Sequence, residues 1–142
     1  MQPALFDSSV YISVLRRGDA AASALRSAAA DSPLWLSAVV LEELYAGASD
    51  RDRHVVERLE RDFDRANRIL VPNLGDWTEA GKALARLGAR HHYEKTGRGR
   101  LTNDALIALS AGRLGIRVIT ANERDFSKLA EFRSFQYQVI SL

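Results

Sequence analysis

The 142-residue chain contains no cysteine. That absence excludes disulfides, thiol catalysis and every cysteine-built zinc or iron–sulfur site. Imidazoles are scarce too: the histidines are His54, His91 and His92. The adjacent pair would point about 100° apart on a helix, and no third nitrogen ligand lies near it in sequence, so a histidine metal site is not expected. Lysine occurs only as Lys82, Lys95 and Lys128, which makes the positive charge nearly all arginine. No run approaches the roughly 20 apolar residues of a membrane span. Met1-Gln2-Pro3-Ala4-Leu5 has neither the positive start nor the apolar stretch of a secretion signal. A cytoplasmic protein with no membrane segment is therefore expected. No internal repeat, low-complexity stretch or composition shift divides the chain, which reads as one domain over 1–142.

What is present fits an ordinary globular fold. Hydrophobic residues make up 46% and charged residues 27%, which supports one core and excludes wholesale disorder. Lys and Arg number 20 against 18 Asp and Glu, a net charge of +2. That balance permits a nucleic-acid partner without requiring one, and the rigid donor fork of arginine suits phosphate.

Short apolar runs alternate with helical segments. Strands are expected at 3–6, 34–36, 69–71, 116–120 and 136–140. Helices are expected at 10–17, 20–30, 38–46, 50–68, 76–92, 103–114 and 122–129. Asp7-Ser8-Ser9, Ser37 and Thr102 read as N-terminal caps, and Gly18, Gly47 and Gly115 as helix stops. Glu94 to Arg100, with Gly97 and Gly99, reads as a basic loop. The alternation predicts an α/β fold, a short parallel sheet of four to five strands flanked by helices. Such sheets bind ligands beyond the carboxyl ends of their strands, where strand order reverses.

Four acids fall near those ends. Asp7 follows the first strand, and Glu43 lies in the helix after the second. Asp104 opens the helix before the fourth strand, and Asp125 lies five residues past Thr120. Val40, Leu41, Leu44 and Tyr45 set the apolar face of the helix carrying Glu43. Glu43 sits beside that face and Glu42 nearly opposite, so Glu43 is the better candidate and Glu42 its substitute. Each acid alone has a structural reading: Asp104, in the first turn after Thr102, would gain about 0.3–1 kcal/mol from the helix dipole. Four carboxylates brought together raise one another's pKa, and a hard divalent cation such as Mg²⁺ is their natural neutraliser.

Four segments carry a resemblance: Phe6-Asp7-Ser8-Ser9-Val10, Ser37-Ala38-Val39-Val40-Leu41-Glu42-Glu43-Leu44-Tyr45-Ala46-Gly47, Asn103-Asp104-Ala105-Leu106-Ile107-Ala108 and Val118-Ile119-Thr120-Ala121-Asn122-Glu123-Arg124-Asp125-Phe126. In order and separation the chain resembles PIN-domain proteins, and specifically the VapC toxins of VapBC toxin–antitoxin pairs. The resemblance covers almost the whole chain. It implies a Mg²⁺- or Mn²⁺-dependent endoribonuclease whose acidic positions fall on Asp7, Glu43, Asp104 and Asp125, with Asn122 and Ser9 in support. One or two cations would be held there, with Asp7, Asp104 and Asp125 as principal ligands and a metal-activated water hydrolysing RNA. Glu43 either ligates or orients that water. A VapB-type antitoxin and a homodimer are the implied partners, the dimer drawing also on apolar surface around Leu44 and Tyr45.

Other features have plainer readings. Lys95-Thr96-Gly97-Arg98-Gly99-Arg100 follows a helix and lacks the Gly-Lys-Ser/Thr of a P-loop. As a basic loop running into Asp104, it offers Lys95, Arg98 and Arg100 to RNA phosphates. Arg58, Arg61, Arg65 and Arg68 share a helical face, with Glu57–Arg61 and Asp64–Arg68 as favourable pairs, so a solvated face is expected. Trp35, inside a strand, reads as core, whereas Tyr45, Phe63, Trp77 and Tyr93 are either packed or available for base stacking. An aspartyl phosphatase needs a second acid two residues after the first, where this chain has Ser9. A receiver domain needs an acidic pair and a late lysine that are not evident. The remaining alternative is a non-catalytic PIN-like RNA-binding or assembly module, against which stands the presence of all four acids.

Overall fold

The computed structural model describes residues 1–91 and 95–142, without the side chains of 19–21, 24 and 95–100. In chain order the elements are β1 (Ala4–Phe6), α1 (Ser8–Arg17), α2 (Asp19–Ala28), β2 (Leu34–Ser37), α3 (Ala38–Gly47), α4 (Asp50–Arg65), β3 (Ile69–Leu70), α5 (Leu74–His91), α6 (Lys95–Arg113), β4 (Arg117–Thr120), α7 (Glu123–Phe132) and β5 (Tyr137–Val139). The five strands form one sheet in the order β3-β2-β1-β4-β5, every pair parallel. The α/β architecture is as expected, with all five strands present.

β1 holds the centre. The chain builds outward from it through β2 and β3, then returns to its other flank with β4 and β5. Strand order thus reverses between β1 and β4, which pair with Leu5 opposite Val118 and Phe6 opposite Ile119. Both faces of the sheet are covered, which is why these strands read as unbroken apolar runs. Leu5 and Val118 enter the larger core with Leu36, Val40, Leu106 and Phe126. Ala4, Phe6 and Ile119 enter the smaller one with Val10 and Ala29. Trp35 is half-buried against the larger core.

The turn chemistry follows the sequence. Ser37 caps α3 by accepting from the Val39 amide at 3.2 Å. Gly18 and Gly115 take positive φ values of 72° and 68°, left-handed turns that let α1 and α6 end without a Cβ penalty. Asn73 and Asp76 cap α5 reciprocally, each side chain accepting from the other's amide at 2.8 and 2.9 Å.

Three expectations are corrected. α4 ends at Arg65 and Asn67 turns left-handed at φ 56°, so Arg68 lies beyond the helix and cannot pair with Asp64 across a turn. Among the described residues the Glu57–Arg61 pair does not close either, and the neighbouring Glu60 instead accepts from the Tyr45 hydroxyl at 2.6 Å. Arg58, Arg61, Arg65 and Arg68 are nonetheless all exposed, a solvated face. Leu44, expected to add to a dimer surface, is buried in the core.

The largest correction concerns the basic segment. Residues 95–100 are helical backbone, the first turns of α6, and not a loop. Two glycines cost about 1 kcal/mol each inside a helix, so local sequence argues for a loop. Tertiary packing overrides it: Leu101, Ala105, Leu106, Ala108 and Leu109 of the same helix are buried in the core. The side chains of Lys95, Arg98 and Arg100 lie outside the described residues, as does Tyr93 entirely.

Candidate functional site

Parallel strands place their carboxyl ends on one edge, where Asp7 follows β1 and Thr120 ends the neighbouring β4. Asp7 occupies the N-cap position of α1, yet its side chain makes no capping hydrogen bond. It turns instead to hydroxyls. Thr120 Oγ1 donates to Asp7 Oδ2 at 2.6 Å, and Ser9 Oγ donates to Oδ1. Asp7 is 2% exposed. Burial pushes its pKa up, and the Ser9 and Thr120 hydroxyls oppose that shift.

The hydroxyls tie the acid into the strand–helix corner opposite. Thr120 Oγ1 accepts from the Asn122 amide at 2.9 Å, and Ser9 Oγ accepts from the Ala121 amide at 3.2 Å. Asn122 caps α7 by accepting from the Asp125 amide at 3.3 Å, and its Nδ2 donates to Asp125 Oδ2 at 3.0 Å. Ser9, Asp7, Thr120, Asn122 and Asp125 thus form one connected polar chain across the β1–β4 switch point.

Asp104 closes the group from α6. Because that helix begins at Lys95, Asp104 lies in its interior, where every amide is already used and no helix-end charge is on offer. The capping explanation, and Thr102 as N-cap, are thereby overturned. Burial raises the Asp104 pKa first, then the charges of Asp7, Asp125 and Glu43, to about 8. The Asp125 carboxyl, close beside it, holds the Asp104 proton in place and adds to the rise.

Glu43 completes the set from α3. It is half-buried while Glu42 is exposed, because only Glu43 lies beside the helix's apolar stripe. Burial raises its pKa, the nearby Ser8 and Asn103 side chains oppose the shift, and Glu42 and Asp7 add to it. Glu43 Oε1 is buried without a hydrogen-bond partner. The structure therefore brings Asp7, Glu43, Asp104 and Asp125 within electrostatic reach of one another and sets Ser9 and Asn122 among them.

Thr120, Ser8 and Asn103 were not singled out by the sequence reading. Thr120 carried a signal, a hydroxyl at the carboxyl end of the strand beside β1. Thr120→Val keeps the shape but strips Asp7 of a donor and the Asn122 amide of its acceptor. It is expected to cost about 1–3 kcal/mol, read as a lower denaturation midpoint at unchanged m-value.

The donor set suits a hard divalent cation: four carboxylates, one buried oxygen without a partner, and no thiol. Among the described residues, no three acidic or histidine side chains stand in a finished metal-ligand arrangement. Both Asp7 carboxylate oxygens are engaged by hydroxyls. No described helix is long and apolar enough to cross a membrane.

The PIN domain family model matches residues 4–132. No curated protein matches. Among solved structures, a chain of DNA-bound VapBC from Salmonella typhimurium superposes with TM-score 0.69 at 19% identity, covering 98% of each chain. VapBC2 from Rickettsia felis, bound to a DNA fragment from its promoter, gives 0.68 at 16%, covering 99% of this chain and 100% of that one. VapBC-1 from nontypeable Haemophilus influenzae gives 0.68 at 19%, covering 97% and 98%.

Proposed function

The chain belongs to the PIN domain family, and on that footing we propose that it is a divalent-cation-dependent endoribonuclease, the VapC-type toxin of a toxin–antitoxin pair acting in the cytoplasm. One observation carries the reading: Asp104, inside a helix with no capping role, is crowded by Asp7, Glu43 and Asp125 from three other elements. A fold does not gather three further carboxylates around a half-buried one for stability, because each added charge raises the cost of ionising the next.

Asp7, Asp104 and Asp125 would hold Mg²⁺ or Mn²⁺, with Glu43 completing the set. When bound, the cation supplies Lewis acidity to the scissile phosphate and lowers the pKa of water beside it. The chain's own groups do the rest. Ser9 and Thr120 fix the Asp7 carboxylate, and Asn122 fixes Asp125, so neither acid must reorganise as the substrate arrives. Glu43, whose Oε1 is buried without a hydrogen-bond partner, would orient the attacking water or complete the cation's ligands.

The arginine-rich start of α6 leads directly to Asp104. Lys95, Arg98 and Arg100 are assigned to RNA phosphates on that placement in the chain. Arg98→Ala with Arg100→Ala is expected to weaken RNA affinity and flatten its salt dependence by about one to two contacts, leaving the saturated cleavage rate near the parent's. Affinity and rate at two salt concentrations check this. The family resemblance, and the VapBC names of the similar structures, add a VapB-type antitoxin as partner and a homodimer as the working form.

The deciding experiment is a single-turnover RNA cleavage assay with Mg²⁺, with Mn²⁺ and with EDTA. Cleavage only with the cations supports the reading. No cleavage under any condition, with RNA still bound, leaves the non-catalytic RNA-binding module.

A further inference from the structure

A cleft of about 490 Å³ opens where α5, α6 and the segment between α7 and β5 meet, within the roughly 300–1,000 Å³ of small-ligand clefts. It stands apart from the carboxylates, because Arg113 on its wall is separated from Asp104 along α6 by about 13 Å of helical rise. One side of the cleft is apolar and fixed. Leu109 is buried there. The Phe135 ring is braced by Tyr137 and Phe126, with centroids 5.4 and 6.2 Å away. Gly112 leaves the floor bare, and a Cβ there would meet the Phe135 Cβ at 3.2 Å.

Two ion pairs line the other side, and the proposed hydrolysis uses neither. Nε and Nη2 of Arg113 donate to Asp76 at 2.9 to 3.2 Å, and Nη2 of Arg133 donates to Glu79 at 2.7 Å. Both pairs turn the same way. The Asp76 side chain is 5% exposed against 37% for Arg113, and Glu79 is 29% exposed against 58% for Arg133. The carboxylates are sunk and the guanidinia face the opening. Lys82 also shares Glu79, so three cations answer to two acids in this group. The acceptors are taken as well. Arg113 and the Asn73 amide occupy the Asp76 oxygens, and the Asp76 amide occupies Asn73 Oδ1. Donors are left over: among the described residues, Nη1 of Arg113 and Nη1 of Arg133 meet no acceptor.

A surplus of donors and of positive charge beside an apolar wall selects a ligand with the reverse inventory. That ligand is a carboxylate or phosphate, whose oxygens accept, carried on a flat apolar body. We propose that the cleft binds a small organic anion of this class, its oxygens on Arg113 and Arg133 and its body against Leu109 and Phe135. The inference goes beyond the ribonuclease reading and stands whether or not the chain cuts RNA. A second copy of the chain, presenting an acidic side chain, is the competing occupant.

Fluorine NMR titrations of the full chain test this, in EDTA so that no cation at the acids recruits an anion. para-Fluorobenzoate and para-fluorophenyl phosphate distinguish carboxylate from phosphate, and para-fluorobenzamide keeps the shape without the charge. At least one anion is expected to saturate a single site with Kd on the order of 1 mM or tighter, and the amide to bind about tenfold more weakly. Arg113→Lys keeps a cation beside Asp76 but loses the fork, and weakens the anion about tenfold. Arg133→Gln changes an exposed side chain, so the core stays intact, and weakens the anion about threefold to tenfold. Arg61→Gln, exposed on α4, changes nothing. Should Arg113→Lys fail to fold, Arg133→Gln decides alone. The proposal is overturned if neither anion binds, if the amide binds as tightly as the anions, or if Arg133→Gln binds like the parent. It is overturned equally if Arg61→Gln weakens binding as much as Arg133→Gln, which makes the effect one of general surface charge. A parent that binds neither anion but forms a dimer in sedimentation, dissolved by Arg133→Gln, gives the cleft to a second copy instead.

Discussion

Asp104→Asn is expected to abolish RNA cleavage and, in EDTA, to melt roughly 5–10 °C above the parent at pH 9, the gap narrowing to about 2 °C at pH 5. The folded chain raises this carboxyl from 3.8 to about 8, so between those values it keeps a proton that the unfolded chain has released. Stability from Asp104 is therefore complete below about pH 4 and is lost as pH rises through about 8. Asparagine imitates the protonated acid at every pH and removes the slope. Asp104 is partly open to solvent, so only part of the shift counts, about 2 kcal/mol. Melting curves from pH 5 to 9 measure the effect. A variant less stable than the parent across that whole range would make Asp104 a structural support and not a ligand.

Mg²⁺ should act on the parent in the same sense as the asparagine does. It offsets the repulsion among Asp7, Glu43, Asp104 and Asp125, so it raises the melting temperature more at pH 8.5 than at pH 5, where protons compete for the same oxygens. A cation at a hundred times its dissociation constant adds about 2.7 kcal/mol. The gain should shrink sharply in Asp104→Asn, and the cleavage it supports should vanish in EDTA. A melting temperature indifferent to Mg²⁺ at pH 8.5, together with full cleavage in EDTA, removes the cation from the mechanism.

Much of this molecule can be read from its sequence because its strands are buried on both faces. Ile116, Val118 and Ile119 form an apolar run between a left-handed glycine and a capping asparagine, and 117–120 becomes β4. The distinction between Glu42 and Glu43 followed from helical period alone. The start of α6 did not, since Gly97 and Gly99 argue locally for a loop and the burial of Leu101 and Ala105 that overrides them is a tertiary fact. That misreading also hid why Asp104 is unusual, because a first-turn aspartate needs no explanation and an interior one does. Thr120, Ser8 and Asn103 were missed for a related reason. A hydroxyl or amide gains its role from a partner brought near by the fold, and nothing in its immediate sequence names that partner. The exposure of Trp77 was open in the sequence and settled by the placement of α5.

The hydrogen bond between Asp7 and Thr120 spans 113 positions of the chain, and this sets when the site can exist. Pairing of β1 with β4 is a contact of very long sequence separation, the kind that forms late because its loop entropy must be overcome first. A nascent chain that has emerged only as far as α6 already carries Asp7, Glu43 and Asp104. It has no β4 beside β1, no Thr120 hydroxyl on Asp7 and no α7 to bring Asp125. Such a chain has acids but no cage, so the polar network that ties Asp7 to Asp125 closes only after the last strands have left the exit tunnel.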